Sequence, residues 1–140
     1  MKALYEASAV SVGGRDGQVY MENTPIHFEM AMPPALGGKK GYGFNPEQLF
    51  AAGYAACFGS AVEHFVKLKR LVIAAPDIHV KVGIGKNDEG GFKLAVGIEA
   101  VFKGITQADA EELVVQAHKI CPYSNATRGN IDVAVSARVE

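Results

Sequence analysis

The chain has no tryptophan, only two cysteines in 140 residues, and no surplus of either charge: fourteen Lys and Arg stand against fifteen Asp and Glu, a net charge of −1. Without a basic surplus there is no field to draw in a phosphate backbone, so nucleic acid is not an expected partner. Cys57 and Cys121 lie 64 positions apart and form no CxxC pair. Neither a disulfide framework nor a closed zinc site is therefore expected. The longest near-apolar stretch, Leu49 to Val62, falls short of the roughly 18 to 20 residues that a membrane span needs. Met1 to Glu6 carry no apolar core of a secretory leader. The expectation is a soluble, cytoplasmic protein without a membrane partner. His27, His64, His79 and His118 are scattered singly and read as surface or helix residues rather than metal ligands.

What is present is an ordinary globular composition, 49% hydrophobic and 21% charged with 16 glycines. It excludes disordered, collagenous and coiled-coil classes. The length suits one domain spanning residues 1–140, which can bury roughly two-thirds of its unfolded surface without a staple.

Residues 3–12 and 18–23 read as strands joined by Gly13-Gly14-Arg15-Asp16-Gly17, whose three glycines signal a hairpin. Ile26, Phe28, Met30 and Met32 alternate with His27, Glu29 and Ala31 in the period-two pattern of a further strand. Asn45-Pro46-Glu47-Gln48 combines a preferred N-cap, a proline at the first helical position and a capping-box glutamine, predicting a helix that runs to about Arg70. Leu49 to Gly59 is apolar all round, which marks a buried central helix. Strands over 78–84 and 92–102 face each other across Asn87-Asp88-Glu89-Gly90-Gly91. Thr106 caps a helix to Ile120, Pro122 is expected to stop it, and Ile131 to Val139 form a last strand. The order β-β-β-α-β-β-α-β predicts an α+β fold, an antiparallel sheet with two central helices.

Gly83-Ile84-Gly85 falls inside a hairpin with no helix after it and cannot be a nucleotide loop. Asn125-Ala126-Thr127 fits the glycosylation pattern, which has no meaning without a secretory context. The cysteines carry more. A cysteine in an apolar helix is ordinarily a small core residue, inert unless a cation offsets burial. Cys121, near a helix C-terminus whose dipole opposes a thiolate, is the poorer nucleophile of the two. One activated thiol and one weaker partner is the layout of a nucleophile and a resolving cysteine.

Three stretches together carry a family resemblance. Asn45-Pro46-Glu47-Gln48-Leu49-Phe50-Ala51-Ala52-Gly53-Tyr54-Ala55-Ala56-Cys57-Phe58 resembles the first cysteine motif of the OsmC/Ohr superfamily. Cys121-Pro122-Tyr123-Ser124-Asn125-Ala126-Thr127-Arg128-Gly129-Asn130 resembles the second motif in the form of its organic hydroperoxide resistance (Ohr) branch, and Gly13 to Gly17 that branch's arginine loop.

The resemblance implies an organic hydroperoxide reductase, a thiol-dependent peroxidase that converts organic hydroperoxides to alcohols. It assigns Cys57 as the peroxidatic cysteine, Cys121 as the resolving one, Arg15 as the activating cation and Glu47 as the carboxylate holding it. A Cys57 sulfenic acid would condense with Cys121 to a disulfide, recycled by a dithiol reductant such as dihydrolipoamide or a lipoylated protein. No metal, haem, flavin or other cofactor is implied. Phe50, Tyr54 and Phe58, close to Cys57 in sequence, are the expected apolar substrate contacts.

Glu47 and Cys57 lie about 15 Å apart along one straight helix. Either two copies of the helix pack antiparallel near Ala52 in an intertwined homodimer with composite sites, or the helix breaks near Gly53. The alternatives in function are an OsmC-type peroxidase of different substrate range and a non-enzymatic module that binds apolar ligands or senses redox state.

Overall fold

Strand pairing in this chain follows the alternation of its apolar residues, and the pairs fall into two separate sheets. The computed structural model describes all 140 residues and divides them into two compact units, Met1–Leu49 and Phe50–Glu140. In the first unit, β1 (Ala9–Val12), β2 (Gln18–Met21) and β3 (His27–Glu29) form an antiparallel sheet in the order β1-β2-β3. Val12 pairs with Gln18 across the arginine turn, and Val19 pairs with Phe28. The strands are shorter than the alternation predicts. Beyond β3 only a bridge from Met30 to Phe44 continues the pairing, and residues before Ala9 join no strand.

Helix α1 (Pro46–Leu68) is unbroken over its 23 residues. Its start is the predicted capping box: Gln48 N–H donates to Asn45 Oδ1 at 2.8 Å, and Asn45 N–H donates to Gln48 Oε1 at 2.9 Å. Its end is a Schellman motif built on an arginine rather than a glycine. Arg70 takes φ 55°, and the N–H groups of Arg70 and Leu71 return to the carbonyls of Lys67 and Val66. The continuous helix removes the break proposed near Gly53. It is long and apolar enough, by length and composition, to cross a membrane. Instead, Tyr54, Phe58, Ala61 and Val62 form a buried stripe at i, i+4, i+7 and i+8. The all-round apolar pattern predicted burial on every side, but one chain covers only one face. Ala52, Ala56 and Ser60, also a turn apart, are exposed.

In the second unit, β4 (Asp77–Lys86) and β5 (Phe92–Phe102) make the predicted hairpin, from Lys86 opposite Phe92 to Asp77 opposite Val101. Asn87 Oδ1 closes its turn by accepting from the Gly91 N–H at 2.7 Å. Helix α2 (Gln107–Ile120) starts where Thr106 accepts the Asp109 N–H. Two features differ from the sequence reading. Pro122 ends α2 but also opens a further short helix, α3 (Pro122–Thr127), because a proline suits the first helical position as well as it prevents continuation. Strand β6 (Val133–Val139) lies parallel to β5, Val96 beside Val133 and Phe102 beside Val139, because the α2–α3 crossover returns the chain in the direction it left.

The core of this unit joins α1, α2 and the inner face of β4-β5-β6. Tyr54, Phe58, Val62, Phe102 and Leu113 have no exposed surface. Each such apolar side chain contributes roughly 1.5–3 kcal/mol by leaving water. The floor of this core is Cys121, equally buried.

Candidate active site

Arg15 is the middle residue of a single 3-10 turn, Gly14–Asp16, between β1 and β2. The turn is cut to glycine. Gly13 holds φ 82°, and a Cβ on Gly17 would stand 1.8 Å from the Val12 carbonyl oxygen. Asp16 pins the turn by accepting the Met32 N–H at 2.9 Å. So fixed, Arg15 makes a forked pair with Glu47: Nη1 donates to Oε2 at 2.8 Å and Nη2 to Oε1 at 2.7 Å. Glu47 lies in the first turn of α1, where the helix dipole favours a carboxylate, and its side chain is only 12% exposed. The hydrogen bonds from Arg15 hold the Glu47 carboxyl below its usual range against the opposing effect of burial. The same bonds raise Arg15, which stays a permanent cation. The structure thus brings together two of the four residues assigned to the chemistry.

The other two meet in the second unit. Cys57 on α1 is partly exposed and Cys121 is buried, and their sulfurs are 3.6 Å apart with both thiols free. Cys121 corrects the sequence argument about its electrostatics. It is the C-cap of α2 and at the same time the N-cap of α3, so no single helix end sets its field. The difference between the two thiols is access. Burial is the largest influence on Cys57 and raises its pKa; the Tyr123 backbone N–H lowers it, and the neighbouring Cys121 raises it further. That N–H, one residue into α3, is a thiolate donor that no side-chain motif announces.

Of the three expected substrate contacts, Phe50 borders open space, whereas Tyr54 and Phe58 lie wholly within the core. Phe50 lines a cleft of about 800 Å³ together with Phe92, Leu94 and Ile131, and with Lys86 and Lys93 among its polar residues. Tyr54 and Phe58 fall one turn apart on the stripe of α1 that faces its own sheet, which is why nearness in sequence to Cys57 does not make them open. The Tyr54 hydroxyl ends instead 2.9 Å from Ser124 Oγ and 3.3 Å from Thr127 Oγ1. Gly53 also has a reason to lack a side chain: a Cβ there would come within 2.8 Å of the Tyr123 hydroxyl.

The remaining polar residues of the second motif make hydrogen bonds within the second unit. Arg128 donates to Asn125 Oδ1 at 2.7 Å and to the His118 carbonyl in the last turn of α2 at 2.6 Å. Asn125 of the glycosylation-like triplet therefore serves to aim an arginine at a helix end. His118 is a helix residue as expected, in the last turn of α2, but it does not stand free in solvent. It is half-buried, its Nδ1 lies 2.9 Å from Ser124 Oγ, and burial followed by the charge of Arg128 pulls its pKa down. The sequence signal for this cluster was a serine and a threonine three residues apart behind a helix-starting proline, a spacing that puts both on one face.

A fold of this order, with one cysteine on the long helix and its partner at the α2–α3 junction, defines a class of proteins. The chain belongs to the OsmC-like protein family, whose sequence model matches residues 37–136. Within that family its relatives are organic hydroperoxide resistance proteins. It is 44% identical over 138 residues to the organic hydroperoxide resistance protein OhrB of Bacillus subtilis, covering 97% of this chain and 99% of that one. A crystal structure of an organic hydroperoxide resistance protein from Elizabethkingia anophelis superposes with a TM-score of 0.95 at 44% identity, covering 100% of both chains. One from Legionella pneumophila gives 0.92 at 46% identity, covering 99% of this chain and 100% of that one.

Proposed function

We propose that the protein is a thiol peroxidase that reduces organic hydroperoxides to the corresponding alcohols. The observation that carries this reading is the sulfur pair: 3.6 Å apart, with Cys57 reachable and Cys121 buried. The names of the relatives, which concern resistance to organic hydroperoxides, supply the substrate class.

In this mechanism the Cys57 thiolate attacks the outer oxygen of the hydroperoxide. The O–O bond breaks, the alkoxide takes up a proton and leaves as alcohol, and Cys57 becomes a sulfenic acid. Cys121 then attacks the Cys57 sulfur, its thiol proton leaves with the hydroxyl as water, and a disulfide remains. A dithiol of the dihydrolipoyl type reduces that disulfide by two thiol exchanges, returning both cysteines and closing its own ring. This cycle fits a reducing cytoplasm.

Burial raises the Cys57 pKa, so a thiolate at neutral pH needs a cation in addition to the Tyr123 N–H. Arg15, oriented by Glu47, is the proposed cation. Ten residues of unbroken helix separate Glu47 from Cys57 by about 15 Å along the axis. We therefore assign the active site to a homodimer in which Arg15 and Glu47 of one protomer serve Cys57 of its partner. The exposed small residues Ala52 and Ala56 on α1 permit close helix approach, and the fully exposed strand β1 leaves surface for a second chain to cover.

The cysteine roles are tested by mutation. Cys57→Ser is expected to abolish hydroperoxide reduction, and Cys121→Ser to consume one equivalent and stall. Equal first-turnover rates in wild type and Cys57→Ser would remove the assignment. The shared site is tested by co-expressing a Cys57→Ser chain with a Glu47→Ala chain. A purified heterodimer that regains activity supports composite sites, and one that stays inactive excludes them.

A further inference from the structure

The Ser124 hydroxyl, fully buried, is a junction of three helices. From α1 the Tyr54 hydroxyl reaches it at 2.9 Å, and from α2 His118 Nδ1 reaches it at 2.9 Å, while Ser124 itself belongs to α3. Thr127, one turn further along α3, contacts Tyr54 at 3.3 Å and donates to the Tyr123 carbonyl at 2.9 Å. Every buried side-chain polar atom in the chain has a partner, so the network is complete.

Its placement relative to the sulfurs is the point. Tyr54 precedes Cys57 by three residues, Ser124 follows Cys121 by three, and His118 precedes Cys121 by three. Each tie is therefore one helical turn from a sulfur, and together they fix α1, α2 and α3 around the 3.6 Å contact. A fold alone would be served as well by apolar residues at these positions, because a buried polar network adds little net stability. What it adds is one geometry in place of several.

We infer that Ser124, with Tyr54 and His118, is a positioning centre for the resolving step: it holds Cys121 within reach of Cys57 so that the sulfenic acid closes to a disulfide before a second hydroperoxide arrives. The inference rests on the peroxidase reading above. Two fates compete for the sulfenic acid. With the Cys121 thiol it gives the disulfide and water. With a second hydroperoxide it gives the Cys57 sulfinic acid and alcohol, a dead end for this enzyme. The first depends on near-attack geometry between the sulfurs; the second does not. Ser124 makes no hydrogen bond to either sulfur, so its effect falls on the partition between them rather than on the first oxidation.

The experiment measures two quantities in wild type, Ser124→Ala and Tyr54→Phe: the second-order rate constant for Cys57 oxidation by cumene hydroperoxide, and the sulfinic acid formed per catalytic cycle, read by intact-protein mass spectrometry with dihydrolipoamide as reductant. The oxidation constant is expected to stay within about twofold of wild type. The sulfinic fraction per cycle is expected to rise roughly five- to tenfold, the effect of one lost buried hydrogen bond on a positioned step. A sulfinic fraction equal to wild type in both folded variants overturns the inference. So does an equal slowing of both steps, which is the signature of a merely structural role. A wild-type protein that forms no Cys57–Cys121 disulfide with peroxide removes the peroxidase reading itself, and this inference with it.

Discussion

Oxidation of the sulfur pair should make the protein measurably harder to unfold. A Cys57–Cys121 disulfide closes a loop of 64 residues, and the loss of chain entropy in the unfolded state scales with the logarithm of that length. The entropy relation gives about 4 kcal/mol at 25 °C for a loop of this size. The native state offers little resistance, since the sulfurs already stand 3.6 Å apart on elements packed into one core. With a urea slope of about 2 kcal/mol per molar, the unfolding midpoint should rise by about 2 M. The assay is urea unfolding of reduced protein and of protein treated with one equivalent of cumene hydroperoxide, at equal chain concentration. Cys121→Ser, treated in the same way, is the control and should not shift. A midpoint that is unchanged or lower in the oxidised protein, or an equal rise in Cys121→Ser, would refute the reasoning.

Further outcomes follow from the same geometry. Glu47→Gln should flatten the acid side of the stability profile. The Arg15 bond keeps the folded-state pKa of Glu47 below the ordinary 4.5, so its contribution is present above pH 4.5 and is lost as pH falls through the lower folded value; urea midpoints between pH 3 and 6, about the range over which a carboxylate titrates, test this. Arg15→Ala should raise the pH at which Cys57 reacts with iodoacetamide, and an unchanged profile would assign the activating charge elsewhere. Leu113→Ala, which empties a fully buried core position, should cost about 2–5 kcal/mol in denaturant unfolding. The specificity constant should be higher for cumene hydroperoxide than for hydrogen peroxide, because each buried methylene of substrate gains roughly 0.8 kcal/mol; the reverse order would exclude an apolar substrate site.

Much of this was legible in the chain. The β4–β5 hairpin followed from strict alternation around an Asn- and Gly-rich turn, and both long helices announced their starts through side chains that cap them in the structure. These are local signals, written within four residues of where they act. The parallel seating of β6 depends on how a crossover packs, a property of no single segment. The short helix after Pro122 was hidden because proline marks the end of one helix and the start of another with the same residue. Among the site residues, Arg15 and Glu47 form a hydrogen-bonded pair 32 positions apart. Tyr54 and Phe58 were placed near substrate by sequence proximity to Cys57, but helical periodicity turns them to the core. The Tyr123 N–H could not be read at all, since every residue except proline offers one.

The glycine turn that carries Arg15 has a consequence for how this protein can vary over generations. Any single-nucleotide change in a glycine codon that yields another amino acid introduces a Cβ, and at Gly17 that atom would sit inside the Val12 carbonyl. No one-step mutational neighbour of this position leaves the turn intact. Gly14, by contrast, has open space around it at φ 60°, a conformation that asparagine and aspartate tolerate. In a library of all single substitutions, the arginine loop should therefore show one position with no survivors and, three residues earlier, one that admits a narrow polar set. The reach of the guanidinium is thus protected by a residue with no side chain of its own.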